Sequence, residues 1–101
     1  MFKEKGEPNV DIELIDLSNY KSSDKKYIKA LRLMDRVKVD YITDRHISFV
    51  VKNEEEHNVI YFKEKPVEKW QCDCKWYALH SSPCSHIIAV NLAIKEKIIR
   101  L

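Results

Sequence analysis

Apolar residues recur along the chain at two spacings, and the changes between them lay out the elements. Val10, Ile12 and Leu14 alternate with Asp11 and Glu13, the pattern of a short strand over residues 10–14. Ser22, Ser23 and Asp24 offer N-caps for a first helix. Tyr27, Leu31 and Met34 then fall at i, i+4 and i+7 and form one apolar stripe. Asp35 and Arg36 close that helix before a β-branched run begins. Three strands are predicted over residues 37–43, His46–Lys52 and 58–62. Val37, Val39 and Tyr41 share a face of the first, and Ile47, Phe49 and Val51 a face of the second. The polar residues 53–57 fit a hairpin loop. Lys65-Pro66 marks a break, followed by an extended segment over 67–74 with Trp70, Cys72 and Cys74 in one phase. Residues 75–82 read as loop. Ser82, Pro83 and Cys84 read as N-cap, N1 and first turn, because proline's fixed φ suits that position. They open a helix from 83 to about 100.

The pattern predicts an α+β fold: an N-terminal helix, a three- or four-stranded antiparallel sheet, then a C-terminal helix. Residues 1–23 form an acidic, partly extended leader, and 24–101 one domain. A chain of 101 residues fits one domain. Its core alone is thin, since a chain this short buries only about 60–65% of its unfolded surface. With 45% hydrophobic residues it is not globally disordered. Ile87 to Ile94 is the longest nearly apolar run, interrupted by Asn91 and too short to span a membrane. The first residues show no apolar signal segment, so a cytoplasmic or nucleoid-associated location is expected.

Charge changes the picture by its distribution. The net charge is +2, but residues 1–20 carry −3 and residues 21–40 carry +4. A basic segment therefore follows an acidic start.

Cysteine changes it more. The three cysteines, Cys72, Cys74 and Cys84, fall within thirteen residues. An odd, clustered set without a secretory signal argues against a disulfide framework and for a metal site. Together with His86 they form C-x-C-x9-C-x-H. Three thiolates and one imidazole are a common structural zinc set. Cys84 at a helix N-terminus has its thiolate favoured by the helix dipole and free N–H groups. His80, inside the loop, could stand in for His86 as ligand. Asp73, between two cysteines, is expected to be an exposed loop residue. His46 and His57 are expected to be surface histidines away from the cluster. Four protein ligands leave no coordination position for water, so the single zinc is structural. No Ser-His-Asp set, glycine-rich phosphate loop or H-E-x-x-H helix is present. The expectation is no enzyme and no small-molecule substrate.

The C-x-C-x9-C-x-H arrangement, with strands before it and an apolar helix after it, resembles the SWIM zinc finger. The resemblance takes in Ala30-Leu31-Arg32-Leu33, the strands from Val37 to Phe62 and the CSHIIAV helix start. It implies Cys72, Cys74, Cys84 and His86 as zinc ligands, and a module for DNA binding or protein contact. Cys84-Ser85-His86-Ile87-Ile88-Ala89 also fits the C-x-H-x-x-A ending of recombination-associated SWIM proteins, which partner recombinase paralogues. A small residue such as Ala89 also suits close packing of strands on the helix.

Two surfaces carry the functional expectations. Lys25, Lys29, Arg32 and Arg36 recur at i, i+4, i+7 and i+11, a stripe able to neutralise phosphates. Lys75 and Trp76 put a cation beside an aromatic near the zinc, which suits stacking on unpaired bases. The first reading is thus a nucleic-acid-binding accessory module, in DNA recombination, repair or transcription. The second is an interaction subunit. The last helix carries one apolar stripe of Ile87, Val90, Ile94, Ile98 and Leu101. It carries another of Ile88, Leu92 and Ile99. A helix apolar on two sides needs a second covering, from the first helix, a homodimer or a protein partner. Ile88, Leu92, Ile98 and Ile99 would then form the interface. No membrane contact is expected.

Overall fold

The computed structural model describes residues 12–66 and 68–100. It shows a four-stranded antiparallel sheet in the order β1-β2-β3-β4, with the C-terminal helix packed on the sheet and the N-terminal helix packed on that helix. Helix α1 spans Lys25–Leu33. The strands are β1 (Val37–Ile42), β2 (His46–Lys52), β3 (Glu56–Phe62) and β4 (Trp70–Cys72). Helices α2 (Lys75–His80) and α3 (Ser85–Lys95) follow. No helix among the described residues is long and apolar enough to cross a membrane.

Strand parity decides what faces the helices. The pairs Phe49↔Val59 and Val59↔Cys72 share one face, as do Ile47↔Tyr61 and Tyr61↔Trp70. Ile47, Phe49, Val51, Val59, Tyr61 and Trp70 are all buried there. Phe49, Tyr61 and Trp70 pack ring to ring, with centroids 4.8 and 5.8 Å from that of Trp70. β3 begins at Glu56, so the turn is shorter than the 53–57 loop expected and His57 lies in the strand, in phase with Val59 and Tyr61.

Tyr41 departs from its expected face. The register shifts between Val39, paired with Phe49, and Tyr41, paired with Ser48, so Asp40 is the extra residue of a β-bulge. The bulge turns Tyr41 outward, where it is 47% exposed. In α1 the stripe is offset too. Ala30 and Leu33 are buried and Tyr27 half-buried, while Leu31 is exposed. Three-residue steps from Tyr27 through Ala30 to Leu33 point at α3, and a 3-10 turn over Met34–Arg36 delivers buried Val37 to the sheet.

Helix α3 is buried on all sides: Ile87, Ile88, Ala89, Val90, Asn91, Leu92 and Ala93 contact α1 on one flank and the sheet on the other. The second covering that its two apolar stripes require is therefore internal. Ile88 and Leu92, expected at an interface, are closed off by the chain itself. Ile98 stays exposed and Ile99 half-buried; Leu101 lies outside the described residues.

The helix starts and stops without the expected residues. Cys84, not Ser82, is the N-cap. The helix ends at Lys95 rather than near 100, because Lys97 adopts the left-handed conformation (φ 59°). Its N–H bonds Ile94 O, and Ile98 N–H bonds Ala93 O, the two bonds of a Schellman cap.

Of the strand expected over 10–14, Val10 and Asp11 lie outside the described residues, and Ile12–Leu14 pair with no strand. They are held by side chains instead. Glu13 N–H donates to Tyr61 Oη (2.9 Å), and Trp70 Nε1 donates to Glu13 O (3.0 Å). Ile15 N–H donates to Asn91 Oδ1 (2.9 Å), while Asn91 Nδ2 donates to Ile87 O (2.8 Å). Residues 12–15 thus form a strap over the core, with Ile12 and Ile15 packed against it.

Asn91 is fully buried, so Asn91→Ala strands the Ile15 N–H without its partner. The expected cost is about 1–3 kcal/mol, read by urea unfolding of the zinc-loaded protein. An unchanged midpoint would show that the strap is not held through this side chain.

Candidate metal centre

Three elements deliver the four candidate ligands. Cys72 ends β4 on the inner face, opposite Val59. The chain leaves the strand at Asp73, whose N–H still bonds Asn58 O (3.2 Å). Cys74 then caps α2, its Sγ accepting from Tyr77 N–H at 3.4 Å. The segment read as loop is therefore partly helical. It turns back through Ser81, whose φ of 50° lies in the left-handed region. Cys84 caps α3 and His86 lies in its first turn.

The four ligand atoms lie within 4.8 Å of one another. His86 Nδ1 is 3.7 Å from Cys72 Sγ and 3.8 Å from Cys84 Sγ. A tetrahedron with Zn–S of about 2.3 Å and Zn–N of about 2.0–2.1 Å has edges of about 3.8 Å between sulfurs and about 3.6 Å from sulfur to nitrogen. The donors present thus fit one zinc ion in number, chemistry and spacing. Cys74 and Cys84 are buried, Cys72 and His86 half-buried.

The thiols are poised unequally. A hydrogen bond from the Cys72 thiol, with others from His86 and the Ile87 amide, holds Cys84 down to about 4, against the opposing effect of burial. The same Cys72–Cys84 hydrogen bond, together with burial, pushes Cys72 up. Burial pushes Cys74 up. These interactions favour the negative charge on Cys84 over the other two thiols.

His80 does not join the cluster. It lies in the last turn of α2, stacks on Trp76 (centroids 4.1 Å apart) and bonds Trp76 O through Nδ1 (2.9 Å). His86 alone completes the set. His46 lies beside Tyr41 and Phe62 at the other end of β2. His57, expected away from the cluster, is beside it. Its ring centroid is 4.2 Å from that of His86, and its Nδ1 is 3.2 Å from Asp73 Oδ1. Its phase with Val59 and Tyr61 was the signal in the sequence; placing it in a turn hid that signal.

The basic residues divide. Lys25 and Lys29 line a cleft with Lys26, Cys74, Trp76, Cys84, Ser85 and His86. Lys26 Nζ lies 4.3 Å from the Trp76 ring centroid and 5.6 Å from that of Tyr20. Lys75 is exposed beside Trp76. Arg32 continues the exposed side of α1, but Arg36 falls in the 3-10 turn, off the helical stripe. An acidic turn also approaches the centre: Glu54 and Glu55 line a second cleft with Lys29, His57 and His86.

Among known families, the model described as SWIM zinc finger matches residues 45–95, half of the chain, including all four candidate ligands. Comparison with curated proteins and with solved structures gave no match.

The unequal thiols set the proton count of metal loading, since zinc binds the deprotonated ligands. Loading the metal-free protein at about pH 7.5 is expected to release about two protons from the thiols, those of Cys72 and Cys74. Titration calorimetry in buffers of different ionisation enthalpy reads the number. Release near three would show that Cys84 is protonated before the metal arrives.

Proposed function

The chain belongs to the SWIM zinc finger family, and from that premise we propose that it is a non-catalytic, nucleic-acid-binding module whose fold is fastened by one zinc ion. Four protein ligands close the metal site to water, so the zinc serves folding and not chemistry. The observation that carries the reading is the cleft beside the centre. Three lysines of α1 and Trp76 of α2 stand around Cys84 and His86. Metal binding fixes the N-termini of α2 and α3, and so sets where Trp76 and Lys75 stand relative to α1. Lys25, Lys29 and Arg32 are spaced to follow a phosphate backbone, and such contacts release counterions.

The binding is to backbone rather than to sequence. The cations lining the cleft are lysines, point charges suited to phosphate, and Trp76 already carries Lys26 and His80 against its ring. Docking through the last helix would need Ile88 and Leu92 free, and both are buried by the chain itself. Ala89, the last residue of C-x-H-x-x-A, is fully buried as well. Close packing accounts for it.

Zinc-loaded protein is expected to bind labelled single- or double-stranded DNA with Kd on the order of 1–100 µM near physiological salt. Replacing Lys25, Lys29 and Arg32 together with Ala weakens binding alike for all sequences and lowers the salt slope by up to about 3. Fluorescence anisotropy across a salt series measures both. Absence of binding at low salt, where electrostatic attraction is strongest, overturns the reading.

A further inference from the structure

A histidine that holds a metal through one ring nitrogen normally has its other N–H fixed by a carboxylate, a carbonyl or water. His86 turns Nδ1 toward the sulfurs. Among the described residues no protein group accepts from its Nε2. Its ring lies instead against the ring of His57, with centroids 4.2 Å apart and planes inclined by 34°. His57 is itself held on one side by a hydrogen bond, Nδ1 lying 3.2 Å from Asp73 Oδ1, while Nε2 lies 3.4 Å from the exposed Glu55 carboxylate. Its side chain is largely buried. Both nitrogens face carboxylates rather than sulfurs, so His57 is not a competing ligand.

We infer that His57 is a positioning residue for the metal centre, a ring brace that fixes the plane of His86. This rests on the zinc site and not on nucleic-acid binding. The brace is tied to the centre at both ends. Asp73 sits between Cys72 and Cys74, so the peptide that supplies two thiolates also holds the brace. β3 supplies its rigid base, since His57 pairs with Val51 across the sheet. The Cys72–Cys74 peptide, His57 and His86 thereby form one chain of contacts.

The test uses His57→Ala, which removes the ring, and His57→Phe, which keeps a ring but neither carboxylate contact. Zinc affinity is measured by chelator competition, and the cobalt-loaded proteins give a d–d absorption spectrum that reports ligand geometry. His57→Ala is expected to lower zinc affinity about 10–100-fold and to weaken or shift the cobalt bands. His57→Phe, which keeps the ring and loses the Asp73 tie, is expected to fall between His57→Ala and the wild type in affinity and spectrum. Wild-type affinity and cobalt bands in His57→Ala would overturn the inference. So would a His57→Phe protein as weak as His57→Ala, because the ring would then not be what acts. Lower thermal stability at unchanged affinity and spectrum would reduce His57 to a packing residue and likewise overturn it. If His57→Ala fails to fold even with zinc, the affinity and spectrum of His57→Phe decide alone.

Discussion

Three sulfurs and one ring nitrogen must meet within a few ångströms, and the surrounding chain has little other means of staying in place. β4 is three residues long and α2 six. A helix that short is marginal by itself in water. The metal centre joins the end of β4 to the N-caps of α2 and α3, so a single point fixes three elements. Capping and ligation are one act here, because two helices begin on the residues that bind. Cys74 Sγ accepts the Tyr77 N–H that would otherwise be unpaired, and the Ile87 amide helps hold Cys84 as a thiolate.

Around that point the core is built by covering α3 twice. Its sequence is apolar nearly all round, which is stable only when something packs on each side. The sheet supplies one side and α1 the other. One polar residue interrupts the apolar run. Asn91 is satisfied by the Ile87 carbonyl within its own helix and by the backbone of the strap. Buried without those partners it would be a cost; with them it ties the acidic leader to the domain's most buried helix.

Much of this was legible in the residues. The alternation in His46–Lys52 located β2 and its inner face, and C-x-C-x9-C-x-H picked out the four residues that the fold brings together, because metal spacing is set by short-range geometry. The parts that were not legible share a cause: they depend on a one-residue choice that packing makes. The first helix faces α3 with Tyr27, Ala30 and Leu33; of the expected stripe Tyr27 and Met34 pack against the core and Leu31 is left exposed. Asp40 bulges and turns Tyr41 to the outer face. β3 begins before His57 and carries it inward. α2 has too few residues to show a period. The stop of α3 has neither glycine nor proline to announce it, since a lysine takes the left-handed position. The face of the first helix, the bulge and the start of β3 were settled by contacts distant in sequence, which a local pattern does not contain.

The strap differs from the rest in how far along the chain its partners lie. Neighbouring strands are consecutive in sequence, whereas Glu13 bonds Tyr61 and Trp70, and Ile15 bonds Asn91, across separations of 48, 57 and 76 residues. Loop-closure entropy makes such contacts the slowest to form. The meander and its metal can assemble from local pieces, while the strap must wait for Asn91 to be set in a finished α3. During synthesis residues 12–15 leave the ribosome ahead of every group that will hold them. A segment made before all of its partners is thus the last to reach its place, and its docking reports that the domain is complete.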